Sequence, residues 1–212
     1  MRNFLFCGIM KRPLLILLLT SGMLTGIGRT AFAQTAYMDS LQSWRKNYVE
    51  NHELLKKPEE QALLRFYPMD ANYRVDCSFE KITDGGWVPM ATSGTRALRA
   101  RKYGQLTFRL HDTTLHLVVY QLQFLLAKEE TKNDLFVGFT DATTTADTYG
   151  GGRYIDCVIE EIRDGKMILD FNKAYNPYCA YTTGYDCPIP PKDNDLPVAI
   201  LAGEKNYGKK MH

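Results

Sequence analysis

The run RYIDCVIEEIRDGKMILDFNKAYN, residues 153–176, decides how the fold is read. Asp164-Gly165 within it is a two-residue hairpin signal. The tight turns that match strand twist need positive φ, which Gly, Asn and Asp tolerate best. With those two residues as the turn, Ile162, Glu160 and Val158 face Met167, Leu169 and Phe171. On the other face Ile159, Cys157 and Ile155 lie opposite Asp170, Asn172 and Ala174. Both faces are largely apolar, so the hairpin is expected to be central or covered. A buried carboxylate is costly without a partner. Arg153, near the end of the ladder, is the expected partner for Asp170, since a planar guanidinium grips a carboxylate well. The cluster then reads in two ways. Arg153 and Asp170 form a structural pair with Asn172 fixing a neighbouring loop, or these groups floor a pocket with Asp170 as base, acid or ligand-orienting group. A one-residue slip of register would invert both faces.

Upstream, residues 104–110 and 114–120 read as a second hairpin. A turn at Asp112-Thr113 sets Leu110, Phe108 and Leu106 opposite Leu115, Leu117 and Val119, an unbroken apolar face. The reverse face carries Gln105, Thr107, Arg109, His116, Val118 and Tyr120, as in a sheet with one wet side. His111 and His116 are accordingly expected at the surface. Further strands are expected at Tyr73–Phe79, within LFVGF (135–139), and at Leu196–Leu201. The fold class that follows is mainly β: a single antiparallel sandwich or barrel-like domain with an N-terminal amphipathic helix. That helix is expected over 37–57, where Tyr37, Leu41, Trp44 and Tyr48 recur at helical spacing. Trp44 is its expected docking residue, Pro58 its stop, and 59–64 a short second helical piece. Residues 34–64 thus form a helical segment and 65–212 a mainly β domain, together one folded unit.

Residues 1–33 have the pattern of a secretory signal peptide. Lys11 and Arg12 precede the apolar stretch Pro13–Ile27, and Ala31-Phe32-Ala33 is a small-x-small cleavage site. Met10 is a possible true start. The apolar stretch is short and interrupted for a membrane span, and no later run is long enough, so no stable membrane insertion is expected after cleavage. Cleavage removes four of the 26 bases and none of the 24 acids, which leaves a net charge of −2 on about 180 residues. No basic stripe remains of the kind that neutralises a phosphate backbone, so nucleic acid is not an expected partner. The expected location is the periplasm or the extracellular space.

Four cysteines follow the leader: Cys77, Cys157, Cys179 and Cys187. An oxidising compartment permits disulfides, and four cysteines allow three complete pairings. Cys179 with Cys187 is the local candidate. Cys77 and Cys157 lie in strand-like runs, where a buried thiol is equally reasonable. No cysteine pair has zinc-ligand spacing and no cofactor motif is present, so neither a metal nor a cofactor is expected. Gly150-Gly151-Gly152 beside threonines lacks the spacing of a phosphate loop.

The proline-rich tail, with Tyr175, Tyr181 and Tyr185, is a candidate wall of a site on a rigid sheet. At these residues the chain resembles the domain-of-unknown-function 1684 family. FYPMDANYRV (66–75), LFVGFTDATTTADTYGGGRYID (135–156), LDFNKAYNPYCAY (169–181), YDCPIPPKDN (185–194) and ILAGEKNY (200–207) carry the resemblance. The resemblance implies that Asp141, Arg153, Asp170, Asn172, Tyr175, Asn176, Cys179, Tyr181, Cys187 and Glu204 occupy characteristic positions. It implies no activity. Three functions stay open. The domain binds a small molecule through Arg153, Asn172, Tyr175, Asn176 and Tyr181. Alternatively it is a hydrolase or lyase with Asp170 or Glu204 in acid–base work, or a structural or interaction module.

Overall fold

A computed structural model describes residues 24–208. The basic start, Met10 and most of the apolar core expected of a leader lie outside these residues. The chain divides into two units, residues 1–36 and 37–212. The described part of the first is the opening of helix α1 (Leu24–Glu50). No helix among the described residues is long and apolar enough to cross a membrane.

The second unit begins within α1, whose buried anchor is Leu41, 1% exposed. Trp44, the expected docking residue, is only half-buried and stacks on Tyr48 at 5.5 Å. The helix stops at Glu50 rather than running to residue 57. Beyond it, His52 turns inward and its Nδ1 accepts the N–H groups of Leu54 and Leu55 at 3.2 and 3.1 Å. A side chain that captures backbone donors in this way offers the chain an alternative to another helical turn. A short helix α2 (Pro58–Gln61) follows, with proline in its first turn, where the missing N–H has no helical partner to lose.

Seven strands form one sheet: β1 (Arg74–Lys81), β2 (Val88–Met90), β3 (Leu98–Leu110), β4 (Thr113–Leu122), β5 (Asp134–Phe139), β6 (Arg153–Val158) and β7 (Lys166–Asp170). Their order is β6-β5-β4-β3-β1-β7, with β2 paired to β3, and every named pair is antiparallel. The β3–β4 hairpin turns at His111-Asp112, with Leu110 opposite Thr113 and Leu106 opposite Leu117. This register is two residues from the one expected at Asp112-Thr113. Because side chains alternate with period two, a two-residue shift keeps every residue on its face. The six apolar residues from Leu106 to Val119 are indeed all buried, and His111 and His116 are exposed.

The hairpin expected at Asp164-Gly165 is corrected. The turn forms, with positive φ at both residues and a bridge between Arg163 and Lys166. There the pairing ends, because a 3-10 turn at Ile159–Glu161 takes the chain off the ladder. β7 pairs instead with β1, Met167 opposite Cys77 and Asp170 opposite Arg74. β6 pairs with β5 on the far edge of the sheet. The two edge strands are thus joined by only the short segment 159–165, at ~3.3–3.6 Å of reach per residue even if fully extended. A flat sheet with neighbours ~4.8 Å apart would strain that reach, so the sheet curls into a half-barrel. The strand expected at Leu196–Leu201 is absent. That segment crosses as irregular chain, with a parallel bridge from Asp195 to Thr140.

Alternation sends two apolar clusters to opposite faces of the sheet. The larger holds Leu106, Phe108, Leu117, Leu135, Val137, Ile155, Leu169 and Phe171, closed by Leu196, Ile200 and Ala202 from the tail. The smaller holds Met90, Ala100, Val118, Tyr120, Leu122, Phe136 and Tyr154. Cys77 and Cys157 are buried free thiols in the larger cluster. Burial pushes the Cys77 thiol up to about 12 and that of Cys157 up as well, which leaves both protonated and inert.

Candidate functional site

Two polar constellations flank the sheet, and they differ in access to solvent. The first lies at the tail's end of the larger cluster. Arg153 projects from β6 on the same face as Ile155 and Cys157 and is 1% exposed. Its partner is Asp141, not Asp170: Nη2 meets Asp141 Oδ2 in a fully buried ion pair. The same guanidinium donates to the carbonyls of Ala202, Ile200 and Glu204 and lies 5.2 Å from the Phe139 ring centre. Desolvation lowers its pKa and Asp141 works against that shift. Asp141 in turn accepts the N–H and hydroxyl of Thr143. This loop, which precedes the three glycines, spends its donors internally.

The chain reversal at Gly203 completes this side. Its φ is +77°, and a Cβ there would sit 2.6 Å from the Ala174 carbonyl oxygen. That reversal drops Glu204 into the interior at 0% exposure. Its carboxylate accepts Tyr181 Oη at 2.7 and 2.8 Å, Tyr48 Oη at 3.0 Å and the Asn176 N–H at 3.0 Å. Burial raises its pKa from 4.5 to about 7, against the lowering effect of these donors. The ring of His52 packs edge-on to Tyr181, 4.7 Å between centres, and burial lowers its pKa.

Asp170 occupies a separate place. At the end of β7 it accepts Tyr37 Oη at 3.0 and 3.1 Å and the Asn172 N–H at 3.1 Å. The Asn172 amide also donates to the carbonyl of Asp70 at 2.8 Å. Among the described residues Asp170 and Glu204 share no hydrogen-bond partner. Of the expected site residues, Tyr181 and Asn176 serve Glu204, Asn172 serves Asp170, and Arg153 serves Asp141.

The second constellation opens on the opposite face. A cavity of about 960 Å³ is lined by β5 and β6, the 96–99 strand start, the 122–125 turn and the tail residues 175–188. Asp156 stands on its wall beside Tyr154, two residues along the same face of β6. Tyr175 Oη donates to both oxygens of Asp156, at 2.8 and 2.9 Å. The side chain is exposed through the cavity. The surrounding protein nevertheless raises its pKa by desolvation, with Asp134 adding to the shift and Tyr175 opposing it. Among the described residues no cationic side chain pairs with it. Phe136, Tyr154 and Tyr175 form an edge-to-face series along the wall, 4.8 and 5.9 Å between centres. Tyr178 and Tyr185 form another such pair at 5.1 Å. The Cys179–Cys187 disulfide closes the loop that carries Tyr185 and Asp186. Of the five expected ligand-binding residues only Tyr175 lines this cavity, and of the expected tyrosine wall Tyr175 and Tyr185 line it while Tyr181 does not.

Sequence reasoning missed Asp156, and it gave no role to Tyr154 or to Asp141, which the resemblance marked only as a characteristic position. Asp156 had a signal, an acid sharing its strand face with an aromatic residue rather than with Ile155 and Cys157. Asp141 had one in its Asp-x-Thr spacing, which suits a local turn. Among the described residues no group of three or more His, Cys, Asp or Glu side chains is placed to hold a metal.

Comparison with known proteins assigns the chain to a family and a fold. The family described as "Protein of unknown function (DUF1684)" matches residues 60–205, and the chain belongs to it. The solution NMR structure of the uncharacterized protein from gene locus rrnAC0354 of Haloarcula marismortui is similar to it at 31% identity. The match covers 84% of this chain and 96% of that one, with a TM-score of 0.61. No curated protein matches the chain.

Proposed function

We propose that this domain binds a small organic ligand in the Asp156 cavity. The observation that carries the reading is an uncompensated carboxylate on an aromatic wall that opens to solvent. Ligand sites are concave, ~300–1,000 Å³ in volume, mostly apolar, and carry a few convergent polar groups. The alternative use of Asp170 or Glu204 in hydrolysis or elimination gains less support. Neither lines the cavity, and each is occupied by tyrosine and amide donors. The test is an NMR screen of small aromatic fragments against the whole domain. Saturable shifts are expected in Phe136, Tyr154 and Tyr175, and Leu98→Trp, which puts a bulkier side chain on the cavity wall, should weaken them. Fragments that map elsewhere, or that still bind Leu98→Trp as well as the parent, would sink the reading.

The domain works, on this reading, outside the cytoplasm after removal of residues 1–33. The charge pattern of that segment supports this, as does a disulfide, which persists in oxidising compartments. Intact mass of protein recovered without reductant should correspond to a chain beginning at Gln34 and lacking two hydrogens. An uncut N-terminus on the recovered protein rules out the export reading.

A further inference from the structure

The cavity's charges and rings define which ligand it would take; this step rests on the cavity being a binding site. Four carboxylates line it, Asp134, Asp156, Glu161 and Asp186, against two guanidinium groups, Arg96 and Arg99. Each guanidinium has a partner. Arg96 Nε lies 3.5 Å from Asp186, and Arg99 donates to the carbonyl of Trp87 at 3.2 Å. Glu161 accepts the Val158 N–H at 3.2 Å. Among the described residues Asp156 has the Tyr175 hydroxyl alone, and a carboxylate offers about four acceptor positions. The charge that adds to its raised pKa is another acid, Asp134. An anionic ligand would therefore meet net negative charge.

The rings favour the same sign. An aromatic face carries the negative lobe of the ring quadrupole and attracts a cation within about 6 Å. The series Phe136–Tyr154–Tyr175 places aromatic rings on the wall that carries the Asp156 carboxylate. The apolar remainder of the wall, Leu98, Leu122 and Leu125, suits a hydrocarbon body.

We propose that the cavity recognises an organic cation, an ammonium group borne on an aromatic or aliphatic body, with the ammonium seated between Asp156 and the Tyr154 and Tyr175 rings. The ammonium replaces the missing counter-charge of Asp156, and the body covers the apolar wall.

The experiment is titration calorimetry of the whole domain with three probes of similar body: benzyltrimethylammonium, benzyl alcohol and phenylacetate. The expected result is saturable binding of benzyltrimethylammonium, at least tenfold tighter than either other probe. Asp156→Asn keeps the acceptor for Tyr175 and the side-chain shape, and should weaken that binding at least tenfold while benzyl alcohol is unaffected. Tyr175→Phe keeps the ring and loses the hydroxyl, and should retain most of the preference for the cation. If benzyl alcohol or phenylacetate binds as tightly, or Asp156→Asn changes nothing, the ammonium assignment is overturned while the cavity remains a ligand site. If no probe binds and the fragment screen is also blank, both readings fail together.

Discussion

Glu204 and Asp156 are two carboxylates that accept tyrosine hydroxyls in one domain, and their surroundings differ in one respect. Glu204 is enclosed by Tyr48, Tyr181 and the Asn176 N–H with no exposed surface. Asp156 has one tyrosine and an open cavity. Both pKa values rise, and desolvation is the first cause in each. A raised pKa therefore does not by itself separate a structural acid from a recognition acid. What separates them is whether the remaining acceptor positions face protein or solvent. On the sealed side Arg153, Asp141 and the Glu204 carboxylate are each matched to fold contacts, although the Asn176 side-chain oxygen is buried without a partner among the described residues. On the open side one group is left for something the chain does not supply.

The contrast is broken most severely at Arg153. Arg153→Met keeps the volume but strands Asp141 as an unpaired charge in the core. Breaking one half of a buried pair costs about 3–5 kcal/mol, and urea unfolding should show a loss of that size. A loss under about 1 kcal/mol would mean that the sealed side is not held by this pair.

Glu204 sharpens the contrast through pH. The native state holds this carboxyl at about 7 against an ordinary 4.5, so it keeps its proton where the unfolded chain has lost it. Its contribution is fully present below about 4.5 and declines as pH rises to about 7. The decline is on the order of 3 kcal/mol by linkage. Denaturant midpoints measured across that window should fall for the parent, and Glu204→Gln should flatten the slope. An unchanged slope in Glu204→Gln would assign the pH dependence to other groups.

How much of this was legible in the sequence depended on the range of each signal. The β3–β4 faces were readable because alternation is local, and even a two-residue error in register left Leu106 and Leu117 inside. The Asp164-Gly165 turn was readable for the same reason. Its strands were not, since the choice between β6 and β1 as partner for β7 is made by residues some 90 positions away. Arg153 was correctly singled out as needing an acid. The acid came from the 141 loop rather than from Asp170 because β6 and β7 lie on opposite edges. Asp156 was hidden by the same error: the expected ladder left its face of β6 to Val158 opposite Phe171, with no cavity to face.

The loop from Cys179 to Cys187 lies on the rim of the cavity and is fastened to itself by its own disulfide. Residues 182–185 between its ends are exposed and pack against no part of the larger core. Tyr185 is the residue of this stretch that lines the cavity, so a substitution there would alter what the cavity selects while leaving the folding of the sheet alone. The architecture thus lets the rim of the cavity be altered without touching the sheet that carries it.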